Sequence, residues 1–270
     1  MENFKEWMKN NTTLLPRSID LYARTIQRFL REFKEASVEN ANKFIAKSFR
    51  EKRSYYVKYA FMHYFKYLGR EEDYKKLIKT RLKPKKKKGC FLRKEELERI
   101  AFSLPTEEYR MVAIIQYLTG ARAHDVLTLS KDRITKEDGM LKLRMIQKGE
   151  REKIAFIPEE YAEMIWNFVQ SKDKEYPFLR GESKDFTRSV NTNYTYYYRE
   201  LKEVATSLGY ENFATHDFRR NFINDAYSKF KDIRIVRVVA GHSDMSTTLR
   251  YLLEAVDEKE IKKAIKEIRG

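Results

Sequence analysis

Apolar positions recur every three or four residues through most of this chain and every second residue in one stretch only. RSIDLYARTIQRFLREF, residues 17–33, sets Ile19, Tyr22, Ile26, Phe29, Leu30 and Phe33 at helical spacing. SYYVKYAFMHYFKYL, residues 54–68, is apolar almost all round, which predicts a central, buried helix whose tyrosines mostly pack in a core. RKEELERIAFSL and EEYRMVAIIQYLTG predict two more helices, the second closed by Gly120 as its C-cap. The period then changes. GMLKLRMIQKGEREKIAFIP, residues 139–158, alternates apolar and polar on both sides of QKGERE, a hairpin pattern with Gly149 in the turn. From Tyr161 onward the helical spacing returns, through NTNYTYYYRELKEVATSLGY, HDFRRNFINDAYSKF, IRIVRVVAG and DEKEIKKAIKEIRG.

One break in the pattern divides the chain. In RLKPKKKKGCF, residues 81–91, Pro84 disfavours helix at Lys83, and the consecutive lysines Lys85, Lys86, Lys87 and Lys88 repel one another. Gly89 then leaves the backbone free. The expected organisation is a helical domain over 1–82, a basic linker over 83–91, and a larger domain over 92–270. That makes the chain mainly α (α+β), with one small antiparallel sheet in the second domain.

Charge narrows the partner. The 56 Lys and Arg outnumber the 40 Asp and Glu, a net +16 spread along the whole 270 residues, which favours a polyanion such as nucleic acid. A membrane-surface helix would gather its basic residues on one face instead. No apolar run approaches the ~20 residues of a membrane span, and MENFKEWMKN lacks a signal-peptide core. The expected location is therefore the cytoplasm. Cys90 is the only cysteine, which excludes an internal disulfide and a thiolate metal cluster within one chain. Abundant Lys and Glu, with glutamine only at 27, 116, 147 and 170, points to a thermophile.

Four places hold residues able to do chemistry. In TGARAHDVLTL, Arg122 and Asp125 stand three apart and can pair on one helical face. In HDFRRNF, His216 and Arg219 have the same spacing at a helix start, where backbone amides favour anions. In AGHSDMSTTLRYL, His242 and Tyr251 lie nine residues apart, on opposite faces of any continuous helix. They converge only if the chain breaks at His242 and a new helix starts from Ser243 or Asp244. Lys148 occupies the hairpin tip, with Lys142 and Lys153 as rivals for any special role. Singly, each has a bland reading: a surface ion pair, a first-turn histidine, a core tyrosine, a solvated lysine. Jointly they supply two arginines, two histidines, a lysine and a tyrosine, without a P-loop, GxGxxG, HExxH or CxxC. Such a set suits metal-free attack on a phosphodiester. Arginines fork onto the nonbridging oxygens, a tyrosine is the nucleophile, and a lysine protonates the leaving oxygen. A free tyrosine hydroxyl has a pKa of ~10, so cationic neighbours and a base are needed to activate it.

In order and spacing these motifs resemble the tyrosine recombinases, the phage-type integrases and Xer-like site-specific recombinases, over essentially the whole chain and most firmly over 92–256. The resemblance implies Arg122 as first catalytic arginine with Asp125 in support, Lys148 as hairpin lysine, His216 and Arg219 as the His-x-x-Arg pair, His242 as phosphate ligand and Tyr251 as nucleophile. It further implies an N-terminal helical core-binding, SAM-like domain that clamps double-stranded DNA together with the catalytic domain, the linker lysines 85–88 touching phosphates. The product of cleavage would be a 3′-phosphotyrosyl bond and a free 5′-hydroxyl, with no cofactor and no metal. A homotetramer on two DNA sites is expected, the C-terminal helix 257–268 docking on a neighbouring protomer. Mobile-element integration and excision is the expected role, and Xer-like dimer resolution the alternative. A relaxing topoisomerase with the same chemistry and no defined site is a neighbouring reading, and a DNA-binding protein that keeps the fold but has lost catalysis is the alternative from another class. Arg220 and Asn221 stand where the family often has His or Thr, and His124 is unusual in the first arginine motif.

Overall fold

The computed structural model describes residues 1–50, 56–78, 89–147, 151–242 and 244–255. It separates into two compact units, Met1–Lys87 and Lys88–Gly270. No described helix is long and apolar enough to cross a membrane.

The first unit contains helices α1 (Glu2–Asn11), α2 (Pro16–Phe33), α3 (Val38–Arg50), α4 (Tyr56–Tyr67) and α5 (Glu71–Lys75). Pro16 starts α2, where its missing N–H costs nothing, and Lys34 ends it in a left-handed conformation with φ 51°. Ile19, Ala23, Ile26 and Phe29 form the buried stripe of α2. Phe29 meets Phe61 edge-on at 4.7 Å and Phe44 at 5.6 Å. Fully burying each ring contributes ~1.5–3 kcal/mol, and the edge-on geometry adds to that. As expected from its pattern, α4 is the buried centre, with Val57, Ala60, Phe61, Tyr64 and Phe65 inside. Tyr59 is the exception, since it stands exposed on the outer face.

The second unit begins with α6 (Lys94–Phe102), α7 (Glu107–Thr119) and α8 (Ala123–Leu127). A three-stranded antiparallel sheet follows in the order β1 (Ile134–Glu137), β2 (Met140–Gln147), β3 (Arg151–Ile157). Helices α9 (Glu159–Ser171), α10 (Phe186–Ser207), α11 (Thr215–Phe230), α12 (Ile233–Ala240) and α13 (Met245–Ala255) complete it. The hairpin of the sequence pattern is β2–β3. Strand β1 was not anticipated, because four residues carry too little periodicity to read; helix α8 falls in the stretch where Arg122 and Asp125 could share a helical face.

The core of this unit is continuous from α6 and α7 through the sheet to α9 and α10. Helix α7 is buried almost all round, from Tyr109 through Gln116. It stops at Gly120, which takes φ 62° and donates its N–H to the Gln116 carbonyl. A Cβ there would also lie 2.5 Å from the Phe222 ring, so Gly120 is needed for its conformation and for packing against α11. In the sheet, Leu141, Leu143, Met145 and Gln147 face inward along β2, and Ile157, Ala155 and Lys153 along β3. Met145 pairs with Lys153 and Gln147 with Arg151. The inward place of Lys153 is thus fixed by strand parity.

Candidate active site

Three helix ends converge to build the site: the C-terminus of α7, the C-terminus of α12 and the first turns of α11. Helices α11, α12 and α13 pack on one another, with Ile223, Val236 and Ala240 as a small core against which Tyr251 and Leu252 lie.

Arg219 is the centre of this arrangement. Its side chain is 1% exposed, Nη1 donates to the Gly120 carbonyl at 2.6 Å and Nη2 to the Ala240 carbonyl at 2.6 Å. Both acceptors lie at helix C-termini, the negative ends of α7 and α12. Its Nε makes no hydrogen bond among the described residues. Burial, and then the charge of Arg122, lower the Arg219 pKa to about 10; Tyr251 and Asp125 work the other way. A buried guanidinium bonded to uncharged backbone carbonyls, with the nearby Asp125 carboxylate already paired to Arg122, remains short of negative charge.

Arg122 stands at the N-cap of α8, with its side chain 37% exposed and Nη1 3.6 Å from Asp125 Oδ2. The pair is no surface ion pair, because Asp125 is buried and also accepts from Gln147 Nε2 at 3.3 Å. The carboxylate therefore steadies a guanidinium that projects outward. His216 opens α11 with its ring reaching solvent. The protein around it, and then Arg220, Arg122 and Arg219, push its pKa down.

The chain breaks at Gly241–His242, as the nine-residue spacing required. Gly241 caps α12 at φ 68°, and Asp244 caps the next helix by accepting from the Ser246 N–H at 2.9 Å. His242 is 8% exposed, and its Nδ1 lies 2.8 Å from the hydroxyl of the fully buried Thr248. Burial first, then Arg219, Arg122 and Lys153, lower its pKa to about 3, so the ring is neutral. Its Nε2 has no hydrogen-bond partner among the described residues. Tyr251 stacks on this imidazole, and its hydroxyl counters the charge of Arg219.

Of the three candidate lysines, two fall among the described residues. Lys148 lies outside the described residues, as do the linker lysines Lys85, Lys86, Lys87 and Lys88 and the segment 257–268. Of its rivals, Lys142 pairs with Glu137 at 2.9 Å near the sheet surface. Lys153 instead turns inward, 3% exposed, with Nζ donating to the Thr119 carbonyl at 2.7 Å. Burial, then Arg219, lower its pKa to about 7, with Arg122 adding and Asp125 opposing. Gly241 makes room for it, since a Cβ there would lie 2.9 Å from Lys153 Cδ. The signal was in the sequence: Lys153 shares strand parity with Ala155 and Ile157. Gln147 and Thr248 also escaped sequence reasoning, for neither residue type marks a site without its partner.

His124 points to a different task, its ring 4.3 Å from Tyr194 of α10. Among the described residues no group of three or more His, Cys, Asp or Glu is placed to hold a metal ion. Guanidinium, imidazole, ammonium and phenol groups gathered in this way have the chemistry to bind a phosphodiester and to attack it with a phenolic oxygen.

Residues 90–258 match the phage integrase family, and the chain belongs to that family of site-specific tyrosine recombinases, enzymes that break and rejoin DNA through a phosphotyrosyl bond. It is 26% identical to the tyrosine recombinase XerA of Pyrococcus furiosus over 254 residues, 92% of this chain and 86% of that protein. The tyrosine recombinase XerD of Haemophilus ducreyi is 29% identical over 145 residues, 50% of this chain and 46% of XerD. Among solved structures, XerH bound to a palindromic difH substrate shares the fold at TM-score 0.67 and 17% identity, covering 100% of this chain and 84% of that one. The Tn1549 transposon integrase bound to transposon right end DNA does so at TM-score 0.64 and 12% identity, covering 99% and 98%.

Proposed function

We propose that this chain cuts and rejoins duplex DNA at a defined core site with Tyr251 of its own chain as the nucleophile. The observation that carries this reading is the Arg219 guanidinium, buried yet short of negative charge, against which Tyr251 and the neutral His242 are gathered. The scissile phosphate completes that charge balance. Arg122 and Arg219 fork onto its nonbridging oxygens and stabilise the extra charge of the pentacoordinate transition state. His242, far too weak a base at a pKa of about 3, serves as a hydrogen-bond donor through Nε2 when Thr248 donates to Nδ1. His216, whose pKa is pushed down by the protein around it and then by its cationic neighbours, takes the phenolic proton. The Tyr251 oxygen bonds to phosphorus, the bond to the 5′-oxygen breaks, and that oxygen takes a proton from the hairpin lysine. Lys148 has this role by resemblance. Lys153 is favoured among the described lysines, because it turns inward with Nζ on the Thr119 carbonyl, and burial and then Arg219 lower its pKa to about 7.

The N-terminal unit and the lysines 85–88 provide phosphate contacts that do not depend on base sequence. A tetramer on two sites, joined through residues 257–268, brings two cleaved duplexes together for exchange. DNA as substrate puts the reaction in the cytoplasm. Mobile-element integration and excision is the expected role. The similarity to XerA over 92% of the chain is the observation favouring Xer-type resolution instead.

Covalent capture tests the chemistry. A pool of nicked suicide duplexes with a randomised core is incubated with the protein, and SDS-resistant adducts are sequenced. Wild type should capture one sequence family and Tyr251→Phe none. No adduct from wild type, or an adduct from Tyr251→Phe, would sink the reading and leave a DNA-binding protein on the same fold. Relaxation without exchange between two captured duplexes would instead assign a topoisomerase.

A further inference from the structure

Helix α11 carries His216 and Arg219 on one side and a second, unrelated set of contacts on the other. Asp217 and Asn221 are four residues apart and share a face, roughly 160–200° around the helix from Arg219. Both are 2% exposed. They receive the stretch of chain that follows the lysine run. The Asn221 amide acts as a strand partner would: Oδ1 accepts from the Leu92 N–H at 2.8 Å, and Nδ2 donates to the Cys90 carbonyl at 2.8 Å. Nδ2 also donates to the Asp217 carbonyl, one turn back in α11, at 2.8 Å. Asp217 Oδ1 accepts from the Cys90 N–H at 3.3 Å and from Arg220 Nη1 at 2.6 Å, while Oδ2 accepts from the Ala214 N–H at 2.8 Å. Gly89 completes the fit, for a Cβ there would stand 2.7 Å from Arg220 Cδ.

Three backbone groups of an irregular entering segment are thereby satisfied by two side chains of the catalytic helix. No packing requirement calls for an amide and a carboxylate at these buried positions. Apolar residues would fill the same volume, but would leave the Cys90 and Leu92 groups without partners. The first half of α11 is consequently held from front and back. Arg219 fastens it to the carbonyls of Gly120 and Ala240, and Asn221 fastens it to the entering chain.

We infer that Asn221, supported by Asp217, is a positioning residue for strand cleavage: it locks the segment Cys90–Leu92 to the back of α11 so that His216 and Arg219 keep their place on the DNA phosphate. The inference rests on the roles proposed above for those two residues.

The test uses the full chain and the duplex that wild-type protein captures. Asn221→Leu keeps the volume and removes both bonds to the entering segment. Asn221→Asp keeps an acceptor for the Leu92 N–H and removes the donor to Cys90. Expected for Asn221→Leu is a duplex Kd within about threefold of wild type, with a single-turnover cleavage rate at saturating duplex at least tenfold lower. The fraction of folded protein that ends in covalent adduct should stay the same. Asn221→Asp should fall between the two, and it decides the matter if Asn221→Leu does not fold. A role in stability alone would lower the melting temperature and the adduct yield while leaving the rate constant in place. That result, or a cleavage rate within twofold of wild type, overturns the inference. Failure of wild type to form any adduct strikes the proposed function instead, so the two failures are told apart.

Discussion

The imidazole of His242 lies parallel to the phenol ring of Tyr251, with centroids 5.5 Å apart and planes within 8°. Nine residues of sequence separate them, and the turn at Gly241–His242 brings them face to face. Thr248 fixes this stack from behind by its bond to His242 Nδ1, one turn before Tyr251 on the same helix. Thr248→Val keeps the shape and removes the hydroxyl that holds the imidazole tautomer. A loss of roughly tenfold in cleavage rate is expected, of the size seen when a group orienting a functional histidine is removed. Suicide-substrate kinetics at saturating duplex give the rate, and unchanged kinetics would mean that ring stacking alone orients His242.

Lys153 and Lys148 make separable chemical predictions. A duplex with sulfur in place of the bridging 5′-oxygen has a leaving group that needs no proton. Replacing the true acid should slow normal cleavage by about 10²–10⁴ and be largely rescued on this substrate. Rescue is expected for Lys153→Met. Rescue confined to Lys148→Met would give the role to the hairpin tip. Tyr251→Phe should be rescued by neither substrate.

The same buried groups set a pH dependence of stability. Folding lowers the Lys153 pKa from its ordinary 10.5 to about 7. Between those values the unfolded chain holds more protons, so this residue makes stability rise with pH from about 7 to about 10.5. His242, lowered from 6.5 to about 3, makes stability fall as pH drops through that window. Melting temperatures of DNA-free protein should therefore show a flatter alkaline limb in Lys153→Met and a flatter acid limb in His242→Asn. Limbs parallel to wild type would contradict the burial of these two groups.

The two arginines should differ in what they cost the fold. Arg122 is part-exposed and among the described residues pairs with Asp125, so Arg122→Ala should abolish most cleavage with a melting temperature close to wild type. Arg219→Ala strands the carbonyls of Gly120 and Ala240 and should cost about 1–3 kcal/mol of stability as well. Both variants should retain most duplex affinity, because phosphate contacts elsewhere carry it. Chemical denaturation and filter binding check these expectations, and binding lost in step with cleavage would contradict the assigned roles.

Period and punctuation made much of the fold legible. The change from helical spacing to alternation at Gly139 marked β2–β3, and Gly120 marked the end of α7. The four-residue β1 was invisible because it does not complete enough repeats. Arg122, Asp125, His216, Arg219, His242 and Tyr251 could be named from local motifs, since each motif states a chemistry and a turn or helix start in the same few letters.

The sequence by itself determined the helical architecture, the hairpin, the break at His242 and the class of reaction, for these depend on residue types at short range. Only the tertiary structure decided that Arg219 would be held by helix-end carbonyls, and that Lys153 would lie inward while Lys142 lies near the surface. It also revealed the bonds from Asn221 to a segment 129 and 131 residues away. The physical reason is the same in each case. Whether a buried charge or amide is tolerated depends on which distant backbone groups arrive to meet it, and one strand or helix carries no record of that.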